Sequence, residues 1–250
     1  MTVGRPSATV EDYLQFVYNM NREGRSVIAA RLAEKVNAAA PTVWGTLRRM
    51  QRDGLVQVNP RRSIVLTAKG TEAAESIMRR HRLTERLLTD LLGLDWAEAH
   101  EEAHLIEHAV SPRVEARIMA TLGNPTTCPH GNPLPGITPR PTTPLASARE
   151  GEHLLIDGIN EEAEEDADLM RFYQRHGLVP GGELKVMEVA PFNSTIAVEL
   201  VGGGPVTLGL SAAQQLRVYP ATASNRGDGG RRRSRVGAPG RRAAPRSPTA

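Results

Sequence analysis

The sequence predicts a mainly α protein followed by a small β-rich domain. Three observations carry this. Residues 1 to about 122 place apolar and charged side chains at helical spacing. That run is broken once, by two short apolar stretches around a basic turn. Residues 150–220 instead alternate Val, Ile and Thr with polar residues between glycine-rich turns.

The first helix is expected over Val10 to Met20, with Leu14, Val17 and Tyr18 inward, and a second over Val27 to Val36. Pro41 suits the first turn of a third helix, where its missing N–H has no partner to lose. That helix, TVWGTLRRMQRD, stops at Gly54. LVQVN and IVLT then flank Pro60-Arg61-Arg62-Ser63, which reads as two strands joined by a basic tip. Three helices and a two-stranded wing are the order of a winged helix-turn-helix, expected over 1–72.

Two histidine-bearing helices follow, in a helical domain expected over 73–123. Residues 124–149 contain seven prolines up to Pro144 and are expected to be an extended linker, because proline lacks a donor and fixes φ. The β-rich domain is expected over 150–220, interrupted by one helix from about Asp166 to His176. The Gly/Arg/Pro/Ser-rich tail, 221–250, is expected to be disordered.

Charge and composition narrow the function. The net charge is +3, yet the tail holds eight arginines against one aspartate. The first 220 residues therefore carry −4, and the basic pI is no sign of a basic folded part. The apolar runs are too short for a membrane helix and the opening residues lack a signal-peptide core, so a cytoplasmic location without membrane partners is expected. One cysteine, Cys128, cannot pair internally or form a thiolate cluster alone.

In a helix-turn-helix the second helix of the pair enters the major groove. Pro41, Thr42, Trp44 and Gly45 lie on its first turns, where base edges are reached, and Arg48, Arg49 and Arg52 follow where phosphates run. Arg31, Arg61 and Arg62 join them from the preceding helix and the wing tip. Trp44 is either a core residue or an apolar contact to bases.

Four of the seven histidines fall between 81 and 108. His81 and Glu85 share one face at i,i+4. His100, His104, Glu107 and His108 share a stripe about 100° wide on the next helix. Imidazoles and carboxylates converging on one face suit a divalent metal, completed from elsewhere by Asp12 or by the acidic stretch Glu161–Asp166. Two other readings stay open. The histidines of a metal-independent winged-helix regulator would only pack, and H-x-x-E-H would give a zinc hydrolase in which Glu107 is the general base.

The segments VEDYLQFVYNM, APTVWGTLRRMQRDGLV, MRRHRLTERLLTDLLGLDW, HEEAHLIEHAVSPRVEARI and CPHGNPLPG together resemble the diphtheria toxin repressor family of metal-dependent transcriptional repressors, over residues 8 to about 136. The region 150–220 resembles the SH3-like domain of its longer members. The fold the resemblance implies is mainly α with a small β-barrel: winged helix-turn-helix domain, helical dimerisation domain and C-terminal SH3-like domain. It implies a homodimer on palindromic double-stranded operator DNA, no small organic substrate, and no enzymatic activity.

It also implies a regulatory site of Asp12, His104, Glu107 and His108, and an ancillary site of His81, Glu85 and His100 with Asp166 as the best match in the SH3-like domain. Leu169, at the next expected position, cannot ligate. Asp12 stands where manganese-type members have Asp and iron-type members Met; His104 differs from the Glu and Cys of the two branches. Trp44 and Gly45 replace small polar and amide residues. The donor set without sulfur suits Mn(II) or Fe(II), manganese favoured, with Zn, Co or Ni able to bind in vitro. Leu87, Leu91, Leu105 and Val114 are the expected dimer contacts.

Overall fold

The computed structural model describes residues 5–22 and 24–221. Apart from Ala221, the arginine-rich tail lies outside them. The chain opens with α1 (Ala8–Arg22), α2 (Ala29–Lys35) and α3 (Ala40–Arg52), then the antiparallel pair β1 (Val56–Val58) and β2 (Ile64–Leu66). Leu14, Val17, Leu32, Val43, Leu47, Met50 and Ile64 form their shared core without exposure. Pro41 sits in the first turn of α3. Arg62 takes a left-handed backbone at the wing tip, where Asn59 and Ser63 close the turn.

A long helix, α4 (Ala68–Arg86), is capped by Thr67, whose hydroxyl accepts the Gly70 N–H. It widens into a π-helical turn over Leu87–Leu92 and ends at Gly93 in the left-handed region. α5 (Trp96–Ile106) starts with a capping box between Asp95 and Glu98, and α6 (Pro112–Thr121) follows.

The β domain holds β3 (Thr143–Pro144), β4 (His153–Ile159), α7 (Glu161–Glu164), α8 (Ala167–Arg175), β5 (Glu183–Ala190), β6 (Thr195–Leu200), β7 (Pro205–Gly209), α9 (Leu210–Gln215) and β8 (Leu216–Pro220). Its strands form one antiparallel sheet in the order β3-β8-β4-β5-β6-β7. Trp96 and Ala97 at the start of α5 are buried in this domain's core, and the Trp96 N–H donates to Gln174 at 2.9 Å. Burying one large aromatic there fixes the β domain against the histidine-bearing helices.

The proline-rich stretch differs from the expected free linker. Cys128, His130 and Leu145 have no exposure, and Asn132 and Leu134 are nearly as buried. Proline removed donors from this segment, but other groups supply them. Arg86 donates to the carbonyls of Thr127 (2.9 Å) and Cys128 (3.0 Å), and Arg82 donates to that of Pro133. The Ile159 N–H reaches the His130 carbonyl at 2.9 Å. At Gly131, with φ of +87°, a Cβ would stand 2.2 Å from the Asp157 carbonyl oxygen, so only glycine lets the turn lie on β4.

Gly70 is equally constrained, since a Cβ there would stand 1.8 Å from the Leu55 carbonyl oxygen. Gly70→Ala must push α4 off the wing and is expected to cost about 1–3 kcal/mol of stability, read by chemical denaturation.

Candidate metal centre

The donors come from four elements that the two cores hold in place. α1 supplies Glu11, Asp12 and Gln15; α4 supplies His81 and Glu85; α5 and the residues just after it supply His100, His104, Glu107 and His108. α7, on the β domain, supplies Glu164.

Of the four residues expected in the regulatory site, Asp12, Glu107 and His108 place ligand atoms within 4.8 Å of one another. His104 falls in a separate set with His81 and His100 and touches the first set at Glu107. His108 Nε2 is 3.1 Å from Asp12 Oδ1 and 3.4 Å from Glu107 Oε1, and His104 Nδ1 is 3.6 Å from that same Glu107 oxygen. Glu107 is wholly buried, whereas His104 is 39% exposed. Gln15 donates to Glu107 Oε1 at 2.9 Å, and His81 Nδ1 lies 2.6 Å from Oε2. Burial pushes the Glu107 carboxyl up, but His104 and His81 beside it prevail and hold it down at about 2.

Behind His108 stands Glu11. It is 2% exposed, and its Oε2 is 2.7 Å from His108 Nδ1. Arg5 and Arg80 each donate to Glu11 Oε1 at 2.8 Å. A carboxylate on Nδ1 fixes the tautomer and leaves Nε2, the atom facing Asp12 and Glu107, free to ligate.

The second cluster lies one imidazole away. His81 spans both, with Nε2 3.0 Å from Glu85 Oε1. His100 Nδ1 is 2.9 Å from Glu85 Oε1 and 3.7 Å from Glu164 Oε2. Burial lowers the His100 imidazolium's pKa, but Glu165 and Glu85 outweigh that and raise it to about 10.

Asp166 is not part of this cluster. It caps α8, its carboxylate accepting the Leu169 N–H at 3.0 Å, whereas Glu164, two residues earlier, turns inward at 3% exposure. The acidic stretch therefore does reach the site, through a different member.

Sequence reasoning also passed over Cys128 and His130, because their segment read as linker. His130 Nδ1 is 3.1 Å from Glu164 Oε1, and Glu85, Cys128 and His130 place ligand atoms within 4.8 Å of one another. Burial, then Glu85 and Glu164, push the Cys128 thiol well up. The legible signal was C-x-H in CPHGNPLPG.

These residues fit a divalent transition metal. Glu85 Oε2, His100 Nε2 and His130 Nε2 are buried without a hydrogen-bond partner, a state that costs about 1–3 kcal/mol per group unless something binds there. Carboxylates, imidazoles and one thiol are the donors such ions take.

Thr42, Gly45, Arg48, Arg49 and Arg52 are exposed along α3, and Arg31 on α2 and Arg62 at the wing tip are exposed as well. Trp44 is half-buried against the first core, so the packing alternative holds for much of its ring.

A winged reading head joined to a buried cluster of metal donors defines a metal-responsive DNA-binding regulator. Residues 7–64 match the iron dependent repressor N-terminal DNA binding domain, 67–136 the iron dependent repressor metal binding and dimerisation domain, and 143–220 the FeoA domain. The chain is 37% identical over 223 residues to the iron-dependent repressor IdeR of Mycobacterium leprae, covering 84% of this chain and 96% of that one. It is 46% identical over 129 residues to the diphtheria toxin repressor of Corynebacterium efficiens, covering 52% of this chain and 56% of that one. A solved manganese-dependent transcriptional repressor in complex with manganese superposes with a TM-score of 0.76 at 33% identity, covering 85% of this chain and all of that one. The chain belongs to the iron-dependent repressor family of metal-dependent transcriptional repressors, a non-enzymatic family. That sets aside the hydrolase and the metal-independent regulator.

Two outcomes are expected. Glu11→Gln keeps the shape but removes the charge behind His108, and should weaken Mn(II) binding at the regulatory site about 10–100-fold by isothermal titration. His100, held at about 10, is protonated at neutral pH in the metal-free protein. Its contribution to metal-free stability is complete below about 6.5 and is lost as pH rises through about 10. Metal uptake must displace that proton, so calorimetry in buffers of different ionisation enthalpy should show proton release, and affinity should rise with pH above 7.

Proposed function

We propose that the chain is a dimeric repressor that grips palindromic operator DNA when a divalent metal, manganese in preference to iron, fills the site formed by Asp12, His104, Glu107 and His108. The observation that carries this is the 3.1 Å approach of His108 to Asp12. Asp12 belongs to α1 of the reading head, while His104, Glu107 and His108 belong to the end of α5 and the turn after it. The site therefore straddles the joint between the two domains. A bound divalent ion would supply the positive charge that holds Asp12 and Glu107 together with neutral imidazoles.

The chain's own residues do the rest. Glu11 keeps His108 Nε2 free, and Gln15 neutralises the Glu107 lone pair on the α1 side. With α1 held, α3 keeps a fixed distance from the dimer axis, which two successive major grooves require. Thr42 and Gly45 face the bases, with part of the Trp44 ring, and Arg31, Arg49, Arg52 and Arg62 face phosphates. Pro41 starts the helix on which these residues stand.

Support for the dimer comes from an exposed apolar face. Leu91, Leu92, Leu105, Ile106 and Val114 are 38–75% exposed on the helical domain, beside a half-buried Leu87. Support for manganese is the absence of sulfur from the regulatory donors and the aspartate at position 12. The ancillary ion is assigned to His81, Glu85, His100 and Glu164. Zn(II), Co(II) or Ni(II) would also occupy such donors in vitro.

The test is an operator gel-shift with Mn(II), Fe(II) and chelator. The metal-dependent gain in affinity, about 5–150-fold for coupling of this kind, should vanish in Asp12→Asn combined with His108→Ala, while weak metal-free binding persists. A gain unchanged in that variant contradicts the assignment.

A further inference from the structure

Helix α3 carries a glycine that nothing within the chain explains. Gly45 is exposed in the middle of the helix, where glycine is a far poorer helix former than alanine. Its φ is not positive, and a Cβ there would meet no atom within 4 Å. Neither backbone conformation nor packing calls for it, so the reason lies with what comes against α3 from outside. Val43, Thr46, Leu47 and Met50 form the buried face of the helix. At about 100° per residue, the direction opposite them falls between Gly45 and Arg48, about 30° from each and about 70° from Arg49. Side chains on a helix lean toward its N-terminus, so Arg48 covers the turn that holds Gly45. Gly45, Arg48, Arg49, Gln51 and Arg52 line an open hollow there. Among the described residues, Arg48 has no hydrogen-bond or ion-pair partner. Nearer the start of α3 the exposed residues are Ala40, Pro41 and Thr42, whose side chains offer a base edge a single hydroxyl.

We propose that Arg48 is a base-reading residue, which reaches across the bare backbone at Gly45 and donates two hydrogen bonds to O6 and N7 of an operator guanine. This deepens the DNA face proposed above and rests on that reading. Guanine is the base whose major-groove edge presents two acceptors side by side, the pattern that a guanidinium fork matches. A Cβ at position 45 would stand between the fork and the base. The sequence alone groups Arg48 with Arg49 and Arg52 as phosphate contacts, but its outward direction sets it apart from Arg49. Arg49 and Arg52 lie in the last turn of α3, away from the end of the helix that meets base edges, and they keep their place at phosphates.

The test starts from the full-length protein saturated with Mn(II), which selects its site from a pool of duplexes with a randomised core. The enriched duplex becomes the probe. One guanine per half-site is expected to matter most, and replacing it should weaken binding about 5–150-fold. Arg48→Ala should bind the original and the replaced duplex alike. Arg48→Lys keeps the charge but lacks the fork, and should lose the preference while the salt dependence of binding is unchanged. Gly45→Ala should raise the midpoint of thermal unfolding and still weaken the guanine preference, a pairing that a purely structural role does not give. A preference that survives Arg48→Ala, with the salt slope lowered by about one, makes Arg48 a phosphate contact and overturns the proposal. A preference that survives Gly45→Ala overturns it as well. A pool from which nothing is enriched overturns the repressor reading and this proposal with it, so the two failures are told apart.

Discussion

A carboxylate shut off from water, Glu107, sits between an imidazole of α4 and an amide of α1, with two further imidazoles at its open side. Burying such a group is costly unless its charge is met. Here it is met by Gln15 of α1 and His81 of α4 as well as by its own neighbours His104 and His108, so α1, α4 and the end of α5 converge on one oxygen pair. The reading head inherits that dependence, because α1 shares one hydrophobic core with α3 and the wing. A perturbation of charge at this point is therefore a perturbation of the angle at which α3 is presented. On the proposed function, this is how a small ion would be felt by a DNA surface that it never touches.

The β domain extends the same logic. Trp96 anchors it to α5, and α7 then reaches two ways. Inward, Glu164 joins the second cluster beside Asn132, 2.5 Å away. Outward, Glu161 meets Asn19 of α1 and Arg82 of α4, Glu162 meets Arg25, and Glu165 meets Lys35 of α2. The Glu162–Arg25 and Glu165–Lys35 pairs are half-exposed and contribute little individually, whereas Glu161–Arg82 is largely buried. Their value is directional, since they hold the reading head and the second cluster to the same short helix.

Much of this was legible in the sequence because periodicity and spacing are local. The order of three helices and a wing, the five long strands, and the i,i+4 and i,i+3 pairs on α4 and α5 all follow from rules that operate within one element. Asp12 could be paired with His108 only through family resemblance, since no local rule joins residues so far apart. Residues 124–149 misled for a physical reason. Proline removes backbone donors and so argues against secondary structure, but it does not prevent burial when Arg82 and Arg86 satisfy the carbonyls. Reading that stretch as linker hid Cys128 and His130. Choosing Asp166 over Glu164 was an error of two residues. An aspartate just before a helix is more valuable as its cap, which frees the glutamate upstream to point inward.

The central claim is that metal ties α1 to the end of α5. Hydrogen exchange of the α1 amides, followed in the full-length protein with and without Mn(II), tests it most directly. The account predicts that Mn(II) slows exchange along Tyr13–Tyr18 well beyond any change in the β5–β6 strands. Equal exchange in α1 with and without the ion, while binding is saturated, would contradict it.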